Sequence, residues 1–368
     1  MKIGYIVHNL NDPAVERRCQ MLERGGAKVR LAGFCRDDRL SPAIAARRPM
    51  ELGASADAAM VQRALATLKN AAFHGSLADY CGECDVIMAR NLEQLAIARA
   101  FVGERALIYE CLDIHRSLTG SSVPARAVQF VENQLLPRVD LLLTSSPAFL
   151  RHHFDQTTFT APSYLVENKL LIADGAAPAP SQPAPQEPIT IGWFGMLRCH
   201  RTLAFLTDLT ARSEGRIIAL ICGKPSPAEL PDFEARVAAS AGLTYTGPYT
   251  YEDLPELYGR CHFAWAIDWF EEGLNSSWLL PNRIYEAIAH GAVPIALDSV
   301  EVGRWLERHG AGLRVADGED SRETLLGMPM TEVDQLQQSA LKVRREDVLA
   351  DTQDCAELVR TIAGARAA

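Results

Sequence analysis

The sequence predicts an α/β chain of two Rossmann-like domains facing each other across a cleft, and three observations carry that reading. Strand and helix signals alternate through both halves, as they do where parallel strands are joined by crossover helices. A segment rich in proline and alanine, residues 173–188, interrupts the alternation. The length of 368 residues suits two domains of about 150 residues each.

In chain order, residues 2–8 read as a buried strand running into Asn9-Leu10-Asn11-Asp12-Pro13, where Asp12 can cap a helix that starts at Pro13. That helix places Val15, Cys19 and Leu22 on one face, stops at Gly25-Gly26, and a second strand follows over 27–34. The pattern repeats as strand 85–89, helix 92–101, strand 106–110, helix 124–136 and strand 140–144. Five prolines in 173–188, with no hydrophobic residue larger than alanine, predict a semi-extended connector. Beyond it come strand 189–194, helix 201–211, strand 216–222, helix 231–241, strand 244–246, helix 251–257, strand 263–267, helix 281–290 and strand 293–297. The expected domains are therefore 1–170 and 189–368, joined by 171–188, with the last helix free to pack back on the first domain. In open α/β sheets ligands sit beyond the carboxyl ends of the strands, which puts the expected reactive centre between the halves.

Composition removes several function classes. At 48% hydrophobic and 23% charged residues the chain is neither disordered nor collagen-like. No apolar run reaches the length a membrane span needs, so membrane contact is expected to be peripheral. A net charge of -9 argues against a nucleic-acid partner, which requires a basic face. Charge is also unevenly shared: residues 1–170 carry 20 Lys and Arg against 18 Asp and Glu, residues 171–368 carry 17 against 28. Nine cysteines without a signal peptide fit reduced thiols in the cytoplasm. Cys81-Gly82-Glu83-Cys84 lacks a second pair at zinc spacing and precedes a strand, so its expected role is structural.

Three motifs of the second half and one of the first carry chemistry. The stretch Asp268-Trp-Phe-Glu-Glu-Gly-Leu-Asn275-Ser276-Ser-Trp-Leu-Leu-Pro-Asn282-Arg283-Ile-Tyr-Glu286 runs from a strand end through a polar loop into a helix. Asn282 and Glu286, four apart, share a face with Arg283 beside them. A carboxylate there can accept two hydrogen bonds from vicinal ribose hydroxyls, while asparagine and arginine address phosphate or sugar oxygens. In Gly192-Trp-Phe-Gly195-Met-Leu-Arg198-Cys-His-Arg201, glycine admits a phosphate close to the backbone and the arginines supply forked donors. Lys224, just past strand 216–222, joins this set. Neither half holds a Gly-x-Gly-x-x-Gly fingerprint, which counts against a nicotinamide cofactor. The third motif, Gly247-Pro-Tyr249-Thr-Tyr251, offers rings that either border a base or pack a loop. In the first half, Tyr109-Glu110-Cys-Leu-Asp113-Ile-His115 leaves a strand end, the place for a general base, with Asp113 and His115 as its two candidates.

Several of these stretches carry a resemblance. Val15-Glu-Arg-Arg-Cys-Gln-Met-Leu, Ala89-Arg-Asn-Leu-Glu, Thr144-Ser-Ser-Pro-Ala-Phe-Leu, Val166-Glu-Asn-Lys, Gly192-Trp-Phe-Gly-Met-Leu-Arg and Leu280-Pro-Asn-Arg-Ile-Tyr-Glu286 together resemble the two-domain GT-B glycosyltransferases. The likeness is to family 4-like enzymes of bacterial exopolysaccharide assembly, of the succinoglycan type, and spans nearly the whole chain. It implies that Glu286 binds the nucleotide ribose and that Arg198, Arg201 or Arg283 holds the diphosphate. The family's Glu-x7-Glu pair would put an acid at 278, where this chain has Trp278, which leaves room for an inverting mechanism with a base from the first domain.

The resulting expectation is transfer of a hexosyl unit from a nucleotide sugar, a UDP-hexose, to a lipid-linked saccharide at the inner face of the cytoplasmic membrane. The near-neutral first domain is expected to meet the anionic lipid surface. No Asp-x-Asp occurs, so no metal is implied. Two alternatives share the architecture: a nucleotide-sugar 2-epimerase and a non-catalytic nucleotide-sugar-binding protein.

Overall fold

The computed structural model describes residues 1–35, 39–54, 71–114, 116–173 and 176–365. The chain divides into two compact units, one of Met1–Glu167 with Ala350–Ala368 and one of Asn168–Leu349. The sequence placed its first boundary within three residues of this division; it gave 189–368 to the second domain while leaving the last helix free to pack on the first, and Ala350–Ala368 group with the first unit.

In the first unit β1 (Lys2–Val7), β2 (Lys28–Cys35), β3 (Met50–Ala54), β4 (Val86–Arg90), β5 (Ala106–Cys111), β6 (Leu141–Thr144) and β7 (Ser163–Leu165) form one sheet. Their order is β3-β2-β1-β4-β5-β6-β7 and each pairing is parallel. The central strands β4 and β5 are buried at every residue, as parallel strands covered on both faces must be. Asp12 caps the helix Pro13–Arg24 by accepting a hydrogen bond from the Ala14 amide at 2.9 Å, with Pro13 at its first position. The helix Thr352–Ala365 packs on Pro13–Arg24. Gly25 permits the approach, since a Cβ there would lie 2.2 Å from the Cys355 carbonyl oxygen.

The second unit repeats the design. After the two-residue strand β8 (Leu170–Leu171) come β9 (Ile189–Leu197), β10 (Ile217–Pro225), β11 (Leu243–Tyr245), β12 (Phe263–Trp265), β13 (Val293–Leu297) and β14 (Leu313–Val315). The sheet order β11-β10-β9-β12-β13-β14 is doubly wound and parallel. Alternation along β9 fills both faces: Ile191 and Trp193 enter one core with Leu203 and Phe205, Phe194 enters the other with Ile284 and Tyr285.

The proline-rich segment is not a free connector. The Ser181 amide donates to the His290 carbonyl at 2.9 Å and Gln182 Nε2 to the Gly291 carbonyl at 2.8 Å. The ring of His262 bridges it to β9, with Nε2 2.8 Å from the Ala184 carbonyl and Nδ1 3.0 Å from the Thr190 amide. Proline cannot donate along a sheet ladder, so these side chains tie the segment down instead.

Candidate functional site

In the second unit β9 has β10 on one side and β12 on the other, with crossovers leaving in opposite directions, so its carboxyl end is the topological switch point. Gly195 of β9 pairs with Gly223 of β10, and the Gly223 amide donates to the Gly247 carbonyl at 2.9 Å. A Cβ at Gly223, where φ is +145°, would sit 1.9 Å from the Gly195 carbonyl oxygen, so only glycine closes the two strands here. Above Gly195 and Gly247 a Cβ would meet nothing within 4 Å. Bare backbone thus borders open space.

Around it stand basic side chains with little to neutralise them. Arg198, just past β9, lies 3.7 Å from the Asp268 carboxylate and covers the Phe270 ring at 4.4 Å. Lys224 of β10 is exposed, and neither it nor Arg283 forms an ion pair among the described residues. Arg201, unlike these, is already paired. Its guanidinium is shared between Glu272 at 2.8 Å and Asp317 at 2.6 Å and lies over the Trp269 ring at 4.3 Å. Two carboxylates thus share its charge, and the pairing ties the loop after β12 to Asp317.

The helix Asn282–His290 starts after Pro281, which takes the cap position. The start is pinned by Asn168, whose buried amide donates to the Leu280 carbonyl at 2.9 Å. Glu286, one turn in, accepts from the Tyr258 hydroxyl at 3.0 Å. Tyr258 is fully buried; burial first, then the Glu286 charge, pushes its pKa well above the ordinary phenol value, so it stays a donor. Phe194 meets both Tyr258 and Tyr249 edge-on, at 5.0 and 6.2 Å between ring centres. Burial, then Glu286, raises Tyr249 to about 12. Tyr249 therefore packs the loop on the core and also borders the carboxylate. His290 stacks on Tyr258 at 6.1 Å, and burial lowers it to about 4, leaving it neutral. The sequence reading missed the Tyr258 contact; its only signal was a tyrosine on the helix before β12.

The loop between β12 and this helix is held by its own hydroxyls. Ser276 Oγ accepts from the Glu271 amide at 3.2 Å and Ser277 Oγ from the Gly273 amide at 2.9 Å. Asn275 is buried and Asn282 exposed. Ser276 thus has a loop-shaping task, and Asn282 keeps an open position one turn before Glu286. Trp278 ends the short helix Asn275–Trp278.

In the first unit Asp113 lies exposed past β5, and His115 falls outside the described residues. Glu110, at the strand end, is fully buried and accepts from Arg18 Nε, from Arg90 Nε at 2.7 Å and from the Tyr5 hydroxyl. Its partners lie 92, 20 and 105 residues away, so no local pattern could announce the cluster. Among the described residues no group of His, Cys, Asp and Glu is arranged to hold a metal ion.

No protein-family model matches the chain. It is 42% identical over 380 aligned positions to the succinoglycan biosynthesis protein ExoL of Rhizobium meliloti (strain 1021), covering 99% of this chain and 93% of that protein. Among solved structures it is similar to sucrose-phosphate synthase from Thermosynechococcus elongatus, with a TM-score of 0.70 at 16% identity over 99% of this chain and 100% of that one. HepE from Anabaena, solved in complex with UDP, gives a TM-score of 0.69 at 15% identity over 99% of each chain. These distant likenesses establish the two-unit GT-B fold.

Proposed function

Because the chain belongs to the ExoL family of succinoglycan-biosynthesis proteins and has the GT-B fold, we propose that it is a glycosyltransferase that moves a hexosyl unit from UDP-hexose to a lipid-linked saccharide. One observation carries the donor half of this reading. At the carboxyl edge of the second sheet, open glycine backbone, three basic groups and an oriented carboxylate lie on the strand ends and helix start where a nucleotide diphosphate binds in such sheets. HepE, a distant relative in fold, is solved with UDP-glucose, which supports a uridine donor.

Glu286, oriented by the Tyr258 hydroxyl, accepts from the ribose hydroxyls. Arg198, Lys224 and Arg283 meet the diphosphate, and because their charges are fixed before the reaction they stabilise the negative charge that builds on the leaving group. The acceptor oxygen attacks the anomeric carbon as its proton passes to a base. The bond from that carbon to the diphosphate breaks, and its electron pair stays on the departing UDP. Asp113, exposed past β5, is the carboxylate assigned to take the proton. The chain holds no Asp-x-Asp pair, which supports a diphosphate met by side chains without a divalent ion.

Among the described residues no helix is long and apolar enough to cross a membrane. The lipid-linked acceptor is met by peripheral contact at the inner face of the membrane. The test follows radiolabelled hexose from UDP-hexose into a lipid-linked acceptor, with and without EDTA. Transfer that survives chelation is expected; hydrolysis of the donor without transfer would reject the reading.

A further inference from the structure

Exposed large apolar side chains gather on one helix. Val123, Phe130 and Val131 of Val123–Leu135 are 81%, 65% and 38% exposed. Ser122 caps that helix, and Ala125, Val128 and Glu132 face inward, with Glu132 paired to His153 at 2.9 Å. Gln129 Nε2 donates to the Leu118 and Gly120 carbonyls at 3.0 and 2.9 Å, fixing the helix to the preceding loop. The orientation is therefore set by buried contacts, and the outward face is left with Val123, Ala127, Phe130 and Gln134 in helical register and Val131 beside them.

The exposed charges of this helix and of the turn that closes it have one sign. Arg126 stands between the apolar residues, and Arg138 lies in the turn that closes the helix. Neither forms an ion pair among the described residues, and no acid stands in the helix's first turn. A solvated helix gains nothing from presenting phenylalanine and valine, whereas an interfacial helix buries such residues among acyl chains and keeps arginines at the headgroups. The first unit is also the less acidic one, so its approach to a negative surface is not opposed.

We propose that the outward face of Val123–Leu135, with Val123, Phe130 and Val131 flanked by Arg126 and Arg138, seats the first unit on an anionic lipid surface. This rests on the reading of a lipid-linked acceptor, which it deepens by naming the surface that brings the enzyme to it. None of these residues belongs to the donor site in the second unit.

The experiment is co-sedimentation of the full chain with vesicles of phosphatidylcholine alone or mixed equally with phosphatidylglycerol, across a salt series. UDP binding is measured on the same samples. Wild type is expected to bind the mixed vesicles, more weakly as salt rises, and the neutral ones poorly. Val123→Ser with Phe130→Ser should abolish binding at every salt concentration. Arg126→Gln with Arg138→Gln should lower it roughly 25-fold, about fivefold for each charge near the surface, and flatten the salt dependence. All variants should keep wild-type melting and UDP affinity. Equal binding to neutral vesicles, no binding by wild type, or unchanged binding by the serine variant would overturn the proposal. So would a wild-type dimer that the serine variant dissolves, because the face would then join two copies. Failure to bind UDP would count against the donor reading alone, and lack of vesicle binding beside normal UDP affinity against this surface alone.

Discussion

Replacing Glu110 with glutamine isolates what the buried ion cluster contributes to the first unit, because the side chain keeps its size and loses its charge. Burial by itself would raise this carboxyl's pKa, but Arg90 and Arg18 outweigh it and hold the group at about 2. Against an ordinary glutamate value of about 4.3, that difference corresponds to about 3 kcal/mol of folding stability. The folded value lies below the unfolded one, so the stability is complete above the unfolded pKa and drains away as pH falls towards the folded one. At neutral pH the variant also takes the shared carboxylate from two buried guanidinium groups, of which Arg90 keeps Asp12 at 3.6 Å, and removing one partner of a buried pair costs about 3 to 5 kcal/mol. All five tryptophans lie in the second unit, so tryptophan fluorescence is blind to this event. Native-state hydrogen exchange at β4 and β5 in urea follows it directly. Glu110→Gln should open more easily than wild type by that amount, and the gap should narrow by about 2 kcal/mol between about pH 6 and pH 3. A gap of constant size over this range would refute the argument.

At the donor site, Arg198→Ala should weaken UDP about 10- to 150-fold while changing uridine affinity little, and Arg198→Lys should recover part of the loss; equal effects on both ligands would remove Arg198 from the phosphates. Tyr258→Phe deletes only the hydroxyl that orients Glu286, so calorimetry should show UDP binding about tenfold weaker and less able to discriminate against 2′,3′-dideoxy-UDP, with unchanged melting. Asp113→Asn should cut turnover about 100- to 10,000-fold at constant UDP affinity; near-normal turnover would pass the base role to another group.

Most of the sheet was legible because parallel strands buried on both faces appear as apolar runs, and glycine, proline or aspartate marks their ends. β4 and β13 are such runs, and the reading placed both within one residue. β7 and β14 are three residues each, too short to show a period, and only pairing with β6 and β13 makes them strands. Proline content correctly removed 173–188 from the sheets, but its seat on His262 and Gln337 depends on partners far away in sequence. Glu286 was legible as a helix-face carboxylate following a polar loop. Its orientation by Tyr258 was not, because that bond spans 28 residues and two helices. The carboxylate partners of Arg201 were equally hidden, because Asp317 lies 116 residues away in sequence.

The claim that the second unit holds a nucleotide through Glu286 is tested most directly by calorimetric titration of wild type and Glu286→Ala with UDP and with 2′,3′-dideoxy-UDP. Loss of charge-assisted hydrogen bonds to the ribose predicts UDP binding about 10- to 150-fold weaker in the variant, with the dideoxy analogue binding both proteins alike. An unchanged UDP dissociation constant, or an equal loss for the two ligands, would contradict it.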